Sequence, residues 1–312
     1  MKVLLTGASG FLGQHVLKLL VGYPLRLLVL PDDQALPELQ RYAETVTADI
    51  TLPESLPSAL DGVTQIVHLA GYVNGGRGPI EKFMSINAQG TFNLAQAARD
   101  AGVTQFIYTS SITVYGHTQG AHEVFPLVPT PGYPASKIQA EKALSQLLPE
   151  KATILRLPLV LGAGDNGFMC PVIHAFRQSG KVVIIGSGQA PWSVLTANDA
   201  ARAIVLCLSK SETLGCTYNV LGETITNGEL LRAIGEEANC SKKIHLPYFV
   251  AWILAALTEL IGRDGLTREQ VRALSHPLSM NGDRFARLGF FGKTSWREAL
   301  LQASTSCATE KT

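Results

Sequence analysis

Apolar and polar positions along the chain fall into two alternating rhythms. Short, nearly continuous apolar runs end in turns: residues 2–6 (KVLLT), 25–30 (LRLLVL), 46–50 (VTADI), 65–71 (QIVHLAG), 105–111 (QFIYTSS) and 152–162 (ATILRLPLVLG). Such runs predict strands buried on both faces. Between them lie segments with helical spacing of apolar residues: 11–22, 55–62, 86–102 and 133–148. Strand and helix in regular alternation predict an α/β fold, a doubly wound parallel sheet.

The regularity ends near residue 165. Glycine and proline breaks follow, then a run VVIIGSG at 182–188, a helix beginning near NDAARAIVLCL at 198–208, a strand-like TYNVLG at 217–222 and further helices. The expected division is a dinucleotide-binding core over 1–165, with later segments returning to it. Residues 166–312 are then mainly a smaller substrate-binding lobe over the carboxyl edge of the sheet, where open α/β sheets bind ligands. The longest apolar stretch, YFVAWILAAL at 248–257, is too short to span a bilayer. It is expected in the core or lining a substrate pocket, in preference to a membrane surface. The final STSCATEKT, 304–312, is expected to fray.

Composition narrows the function classes. The chain has 312 residues, 46% hydrophobic and 16% charged, with a net charge of +1. That is a folded globular protein whose charge gives no reason to expect nucleic acid or an anionic surface as partner. A small molecule is the expected partner, with no integral membrane segment. The five cysteines are odd in number and form no CxxC, so reduced structural thiols of a cytoplasmic protein are expected. No ligand-spaced cluster of His, Cys, Asp and Glu suggests a metal. MKVLLTGASG has too short an apolar run for a signal peptide.

Two stretches carry candidate chemistry. TGASGFLG, 6–13, links the first strand to the first helix. Gly7 permits a sharp turn, Gly10 lets backbone approach a pyrophosphate, and Gly13 lets the helix pack closely. The helix N-terminus then offers free N–H groups to phosphates. Ser9, Phe11 and Leu12 of the same loop are counted with the cofactor contacts. Asp49, followed by Ile50, can meet an adenine amino group or simply form a turn. Asp32 or Asp33 can bond the adenosine ribose and repel a 2′-phosphate. No Lys or Arg follows that strand before Arg41, which favours NAD, with NADP as the alternative.

The second stretch runs from Ser110 and Ser111 to Tyr133 and Lys137. Tyr133 and Lys137 are one helical turn apart, and Pro134 fixes the tyrosine at the helix mouth. A nearby ammonium, together with a positive nicotinamide, is expected to favour the phenolate and bring its pKa nearer the working range. A chance YxxxK or a strand-ending serine is unremarkable by itself; their order after a phosphate loop makes the case.

With TGASGFLG, ADI, VHLAG, NAQGT, YTSSITVYG, YPASK, LRLPLVLGAGD and LTANDAARA in this order, the chain resembles the extended short-chain dehydrogenases/reductases, also called the NAD-dependent epimerase/dehydratase family. Its look is closest to the dihydroflavonol-reductase and 3β-hydroxysteroid-dehydrogenase-like branch. The resemblance implies a Rossmann sheet, Tyr133 as acid/base, Lys137 on the nicotinamide ribose and Ser111 on the substrate oxygen. It also implies Leu69, Ala70 and Gly71 along the cofactor, and Asn87 either as support near the site or as a helix cap. It suggests a homodimer through helices at 88–101 and 134–148, whose residues Ala140, Ala143 and Leu144 serve as interface or as packing on the sheet.

Sugar enzymes of the family usually carry an Arg where this chain has GSGQAPWSVL, 186–195, and dehydratases a Thr-Asp-Glu set where it has TSSIT, 109–113. Trp192 and the run at 247–262 suggest an apolar pocket wall. The expected function is therefore hydride transfer between the cofactor and an alcohol or ketone of an apolar or polycyclic molecule. The alternatives are a nucleotide-sugar epimerase or dehydratase and a non-catalytic cofactor-binding regulator.

Overall fold

The computed structural model describes residues 2–309 except 77, 166, 241 and 262–266. Gly262, within the apolar run at 247–262, and residues 310–312 of the expected tail lie outside the described residues. In chain order the strands are β1 (Val3–Thr6), β2 (Leu25–Val29), β3 (Glu44–Thr47), β4 (Gln65–His68), β5 (Gln105–Ser111), β6 (Thr118–Ala121) and β7 (Ala152–Leu157). They continue as β8 (Leu159–Leu161), β9 (Lys181–Ile185), β10 (Pro191–Thr196), β11 (Thr217–Asn219), β12 (Glu223–Thr226), β13 (Lys242–Leu246) and β14 (Leu278–Met280). The longer helices are α1 (Phe11–Leu19), α2 (Thr91–Asp100), α3 (Tyr133–Leu147), α4 (Met169–Ser179), α5 (Ala197–Leu208), α6 (Asn227–Glu237), α7 (Tyr248–Ile261), α8 (Arg268–Ser275) and α9 (Trp296–Thr309).

The main sheet has seven strands in the order β11-β7-β5-β4-β1-β2-β3, all paired in parallel. Its apolar runs are continuous because both faces are covered. On β1, Val3 and Leu5 face one core with α1 and α5, while Leu4 faces the other with α2 and α3. Both Val3 and Leu4 are fully buried. Strand order reverses between β1 and β4, and that switch point opens the crevice where a doubly wound sheet takes its ligand.

Helix α5 and strand β11 return to this sheet from beyond residue 165. In the other direction, β6 and β8 leave it for a second, mixed sheet with β10, β12 and β14. The apolar stretch 152–162 breaks at Pro158 into β7 and β8, which therefore serve different sheets. A third core, built from α4, α6, α9 and Trp192, fills the lobe.

Three expectations are corrected here. The chain end does not fray over 304–309: α9 buries Ala303, Ser304 and Cys307, and the Ser306 hydroxyl accepts from the Gly164 N–H at 3.1 Å. The cysteines are not all reduced. Cys170 of α4 and Cys307 of α9 form a disulfide, with Cα atoms 5.5 Å apart, while Cys207, Cys216 and Cys240 are free. Odd number and absence of CxxC say nothing about two helices that meet only in the folded lobe. Finally, the stretch at 248–257 is not core. Among the described side chains of α7, Ala251 and Ala255 are the buried ones, while Phe249, Ile253, Leu254 and Leu257 are exposed. No helix among the described residues is long and apolar enough to cross a membrane.

Candidate active site

The crevice is floored by the carboxyl ends of β1, β4 and β5. After Thr6 the chain turns at Gly7 with φ +72°, and a Cβ there would stand 2.7 Å from the Ala70 nitrogen. Only glycine allows this approach. A Cβ on Gly13 would overlap the Gly7 carbonyl, so helix and turn can pack this closely only with glycine at both positions. Gly10 caps α1 without any side-chain hydrogen bond. The first-turn N–H groups are thus left for a ligand, with the positive end of the helix dipole behind them. The Thr6 hydroxyl accepts from the Ala70 N–H at 3.2 Å, tying Leu69–Gly71 to the phosphate loop. Leu12 packs on the core beneath, and the Phe11 ring lies 3.5 Å from where a Cβ on Gly162 would stand.

The two acids after β2 separate. Ser9 donates to Asp33 at 2.6 Å, and Asp33 also accepts from the Ala35 N–H at 2.9 Å. Asp32 is exposed. Folding therefore brings Asp33, and not Asp32, to the phosphate loop. Asp49 accepts from the Thr51 N–H and hydroxyl, both at 2.8 Å, which makes it a turn residue through one oxygen. Ile50 is buried beside Gly90.

At the other end of the crevice β5 delivers Ser111, and α3 opens on Tyr133 with Pro134 in its first turn. Ser110 and Ser111 point to opposite sides, as neighbours on a strand must. Ser110 donates to Glu141 at 2.5 Å. The Ser111 oxygen accepts from the Thr113 N–H at 3.2 Å and hydroxyl at 2.9 Å. A hydroxyl has two lone pairs and one proton; both lone pairs of Ser111 are thus engaged by Thr113, and the Ser111 hydroxyl opposes the upward shift of the Tyr133 phenol.

Lys137 is buried. Its ammonium donates to the Thr109 carbonyl at 2.9 Å and lies 4.6 Å from the Tyr108 ring centre and 5.7 Å from that of Tyr133. Burial holds its pKa down to about 8, against a smaller opposing pull from Glu141. Lys137 by itself does not bring the tyrosine down. Tyr133 is half-buried as a residue, and desolvation pushes the phenol up to about 12, with Ser111 opposing. Desolvation outweighs a cation already committed to a carbonyl.

Residues around these three hold the arrangement; sequence reasoning singled out Asn87 among them but not His68. His68 ends β4, fully buried, bridging Thr6 at 2.7 Å and Thr91 at 3.0 Å. Burial, with Lys137 adding, pushes its pKa down to about 3, so it is a neutral connector. Asn87 lies in a π-helical turn, Met84–Gly90. It is no helix cap. It accepts from the Tyr72 N–H at 2.7 Å and donates to the Tyr72 carbonyl at 2.8 Å and to Ser136 at 3.1 Å. It thereby clamps the segment after Gly71, where a Cβ would stand 3.1 Å from its own amide oxygen and 3.9 Å from the Lys137 nitrogen.

Beneath Ser110, Arg156 pairs with Glu141 at 2.6 and 3.0 Å and donates to Tyr115 at 2.7 Å. Burial disfavours the guanidinium charge, but Glu141 and Tyr115 outweigh it and raise the Arg156 pKa. These partners come from separate elements at no fixed spacing, so no sequence signal marks them. Trp192 belongs to the core of the lobe. It is buried there with its N–H on the His276 carbonyl at 3.0 Å.

The uncapped helix start, the glycine cradle against Ala70 and the Ser9–Asp33 pair fit a dinucleotide with its pyrophosphate at α1 and its nicotinamide end towards Lys137. Comparison with known proteins agrees. The chain is 28% identical over 256 residues to an N-acetyl-alpha-D-glucosaminyl-diphospho-ditrans,octacis-undecaprenol 4-epimerase of Escherichia coli O157:H7, covering 79% of this chain and 75% of that one. It is 24% identical over 318 residues to a 4-hydroxy-2-methyl-3-oxo-4-farnesyl-3,4-dihydroquinoline-1-oxide ketoreductase of Stigmatella aurantiaca, covering 96% and 95%. The solved structure of gox2253 superposes with a TM-score of 0.84 at 26% identity, over 99% of this chain and 98% of that one. Residues 3–220 match the model of the NAD dependent epimerase/dehydratase family, and the chain belongs to that family.

Proposed function

We propose that the protein is an NAD-linked oxidoreductase that moves hydride between the cofactor and an alcohol or ketone carbon of an apolar small molecule. The observation that carries this reading is the grouping of Tyr133 with Lys137, whose nitrogen lies 5.7 Å from the phenol ring centre, and with Ser111 at the end of β5, which acts on the same phenol. Tyr133 gives a proton to the substrate oxygen, or takes one from it. Ser111 donates a hydrogen bond to that oxygen and steadies its developing charge. Lys137, held on Thr109, supplies a cation for the ribose and the phenolate. The bound nicotinamide supplies the hydride chemistry. Asp33, tied to the phosphate loop through Ser9, supports NAD over NADP.

The substrate class is supported by the relatives. One is named for reduction of a farnesyl-bearing quinoline oxide and the other for epimerisation of an undecaprenol-linked sugar, and both names carry a prenyl chain. The second of these keeps a sugar epimerase as the competing reading. Tyr133→Phe is expected to lower hydride transfer, followed by NADH absorbance, by about 10²- to 10⁴-fold; unchanged turnover would remove Tyr133 from the chemistry. Marked thermal stabilisation by a nucleoside diphosphate would favour the sugar reading.

The homodimer is retained in altered form. Ala140 and Leu144 are fully buried as packing on the sheet, whereas Ala143 lines the outer groove between α2 and α3. A second copy would instead meet the outer groove between α2 and α3, bordered by Met84, exposed Phe92, Lys142 and Gln146. Light scattering of Phe92→Asp against wild type decides it.

A further inference from the structure

Helix α7 has the highest mean hydropathy of the helices, and it is built inside out. Its small residues Ala251 and Ala255 are buried, against Ile185 and Val271. Its large ones face outward: Phe249, Ile253, Leu254, Leu257 and Leu260 are 66, 54, 50, 49 and 85% exposed. Residues 249, 253, 257 and 260 recur at helical spacing, with 254 beside them, so they form one stripe. At about 1.5 Å per residue it is roughly 16 Å long. A continuous apolar stripe on an otherwise well-packed chain marks a contact surface.

Among the described side chains, those flanking the stripe from β9, β13 and α8 include four cations. Lys181 and Lys242 stand opposite each other where β9 pairs with β13. By strand alternation they share the sheet face of Val183, Ile185 and Leu246, on which α7 and α8 pack. Both lysines are exposed. Helix α8 adds exposed Arg268 and Arg272, 5.8 and 5.6 Å from the Trp252 ring. The carboxylate of α7, Glu259, is taken up by Arg268 at 2.7 Å. Half-buried Tyr248 and Trp252, 5.8 Å apart, lie on the same helix, rings of the kind that favour a membrane interface.

We propose that α7 lies flat on a bilayer carrying anionic headgroups. The five apolar side chains enter the acyl boundary and the basic residues meet the headgroups. A second copy is the poorer occupant, since a two-fold contact would set these cations against themselves. The inference rests on α7 and its margin and not on the proposed reaction. It would nonetheless bring the enzyme to the phase in which prenyl chains reside.

Vesicle flotation of the full chain, without substrate, tests it and so stands apart from the hydride reading. Wild type is expected to float with phosphatidylcholine/phosphatidylglycerol vesicles, weakly with phosphatidylcholine alone, and less as salt rises. Leu254→Glu/Leu257→Glu is expected to lower binding at least about tenfold. Lys242→Ala and Arg272→Ala are expected to lower it about fivefold each. Val21→Glu, exposed elsewhere, is expected to float as wild type, and circular dichroism checks that each variant folds. Absence of flotation on the anionic vesicles overturns the proposal. So does a folded Leu254→Glu/Leu257→Glu variant that floats as well as wild type. A concentration-dependent dimer abolished by that same variant would assign the stripe to a second copy instead.

Discussion

At the scale of single residues, the site depends on groups held in states that water would not favour. Lys137 shows this most directly. Its pKa falls from 10.5 to about 8 on burial, so between those values the unfolded chain binds a proton that the folded chain does not. Stability therefore rises with pH across that window, and the full cost of the buried charge is present below pH 8. Lys137→Met should stabilise the cofactor-free protein at pH 7 by about 1–2 kcal/mol, after allowing for the lost bond to Thr109. The gain should shrink from pH 8 to 10.5. Urea unfolding at several pH values checks this, and a destabilised, pH-independent variant would contradict it. Ser111 was legible as a strand-ending hydroxyl. That its lone pairs are filled by Thr113 was not.

Elements position these residues through one buried ion pair. Glu141 stands one turn beyond Lys137 on α3, and Arg156 sits on β7 next to β5. Their pairing at 2.6 Å joins helix to sheet on the far side of Ser111. Arg156 also reaches the Tyr115 hydroxyl at 2.7 Å and the Glu123 carbonyl at 2.9 Å, fixing the turn after Ser111. Removing one partner of such a pair leaves an uncompensated charge. Glu141→Gln should therefore cost about 3–5 kcal/mol. Replacing both residues, Glu141→Leu with Arg156→Met, should recover most of that in equilibrium unfolding, because the desolvation cost leaves with the charges. A double variant as unstable as the single one would show that the pair stabilises outright. The strands and helices here were readable from periodicity alone. The pair was not, because its members are fifteen residues apart and meet by sheet register.

For the whole molecule, the disulfide from Cys170 to Cys307 closes 137 residues of separation and ties the last helix to the lobe. Restricting so long a loop mainly penalises the unfolded chain, by about 2–4 kcal/mol in typical cases. Cys307→Ser should lose that much stability, reductant should do the same to wild type, and reductant should leave Cys307→Ser unchanged. Thermal unfolding with and without dithiothreitol measures all three, and a reductant-insensitive wild type would count against the bond.

What the sequence alone determined was whatever repeats at short range. Two rhythms of apolar spacing set the α/β class, three glycines set the phosphate turn, and a helical-turn interval set Tyr133 beside Lys137. These are local consequences of 2.0- and 3.6-residue periods and of backbone angles. Only the tertiary structure decided which acid, Asp33 or Asp32, reaches the loop, which cysteines join, and that Asn87 clamps a strand end. It also turned α7 outward. The run at 248–257 is apolar on every side, so hydropathy gave no preferred face. The choice fell to packing, which set Ala251 and Ala255, one helical turn apart, against Ile185 and Val271.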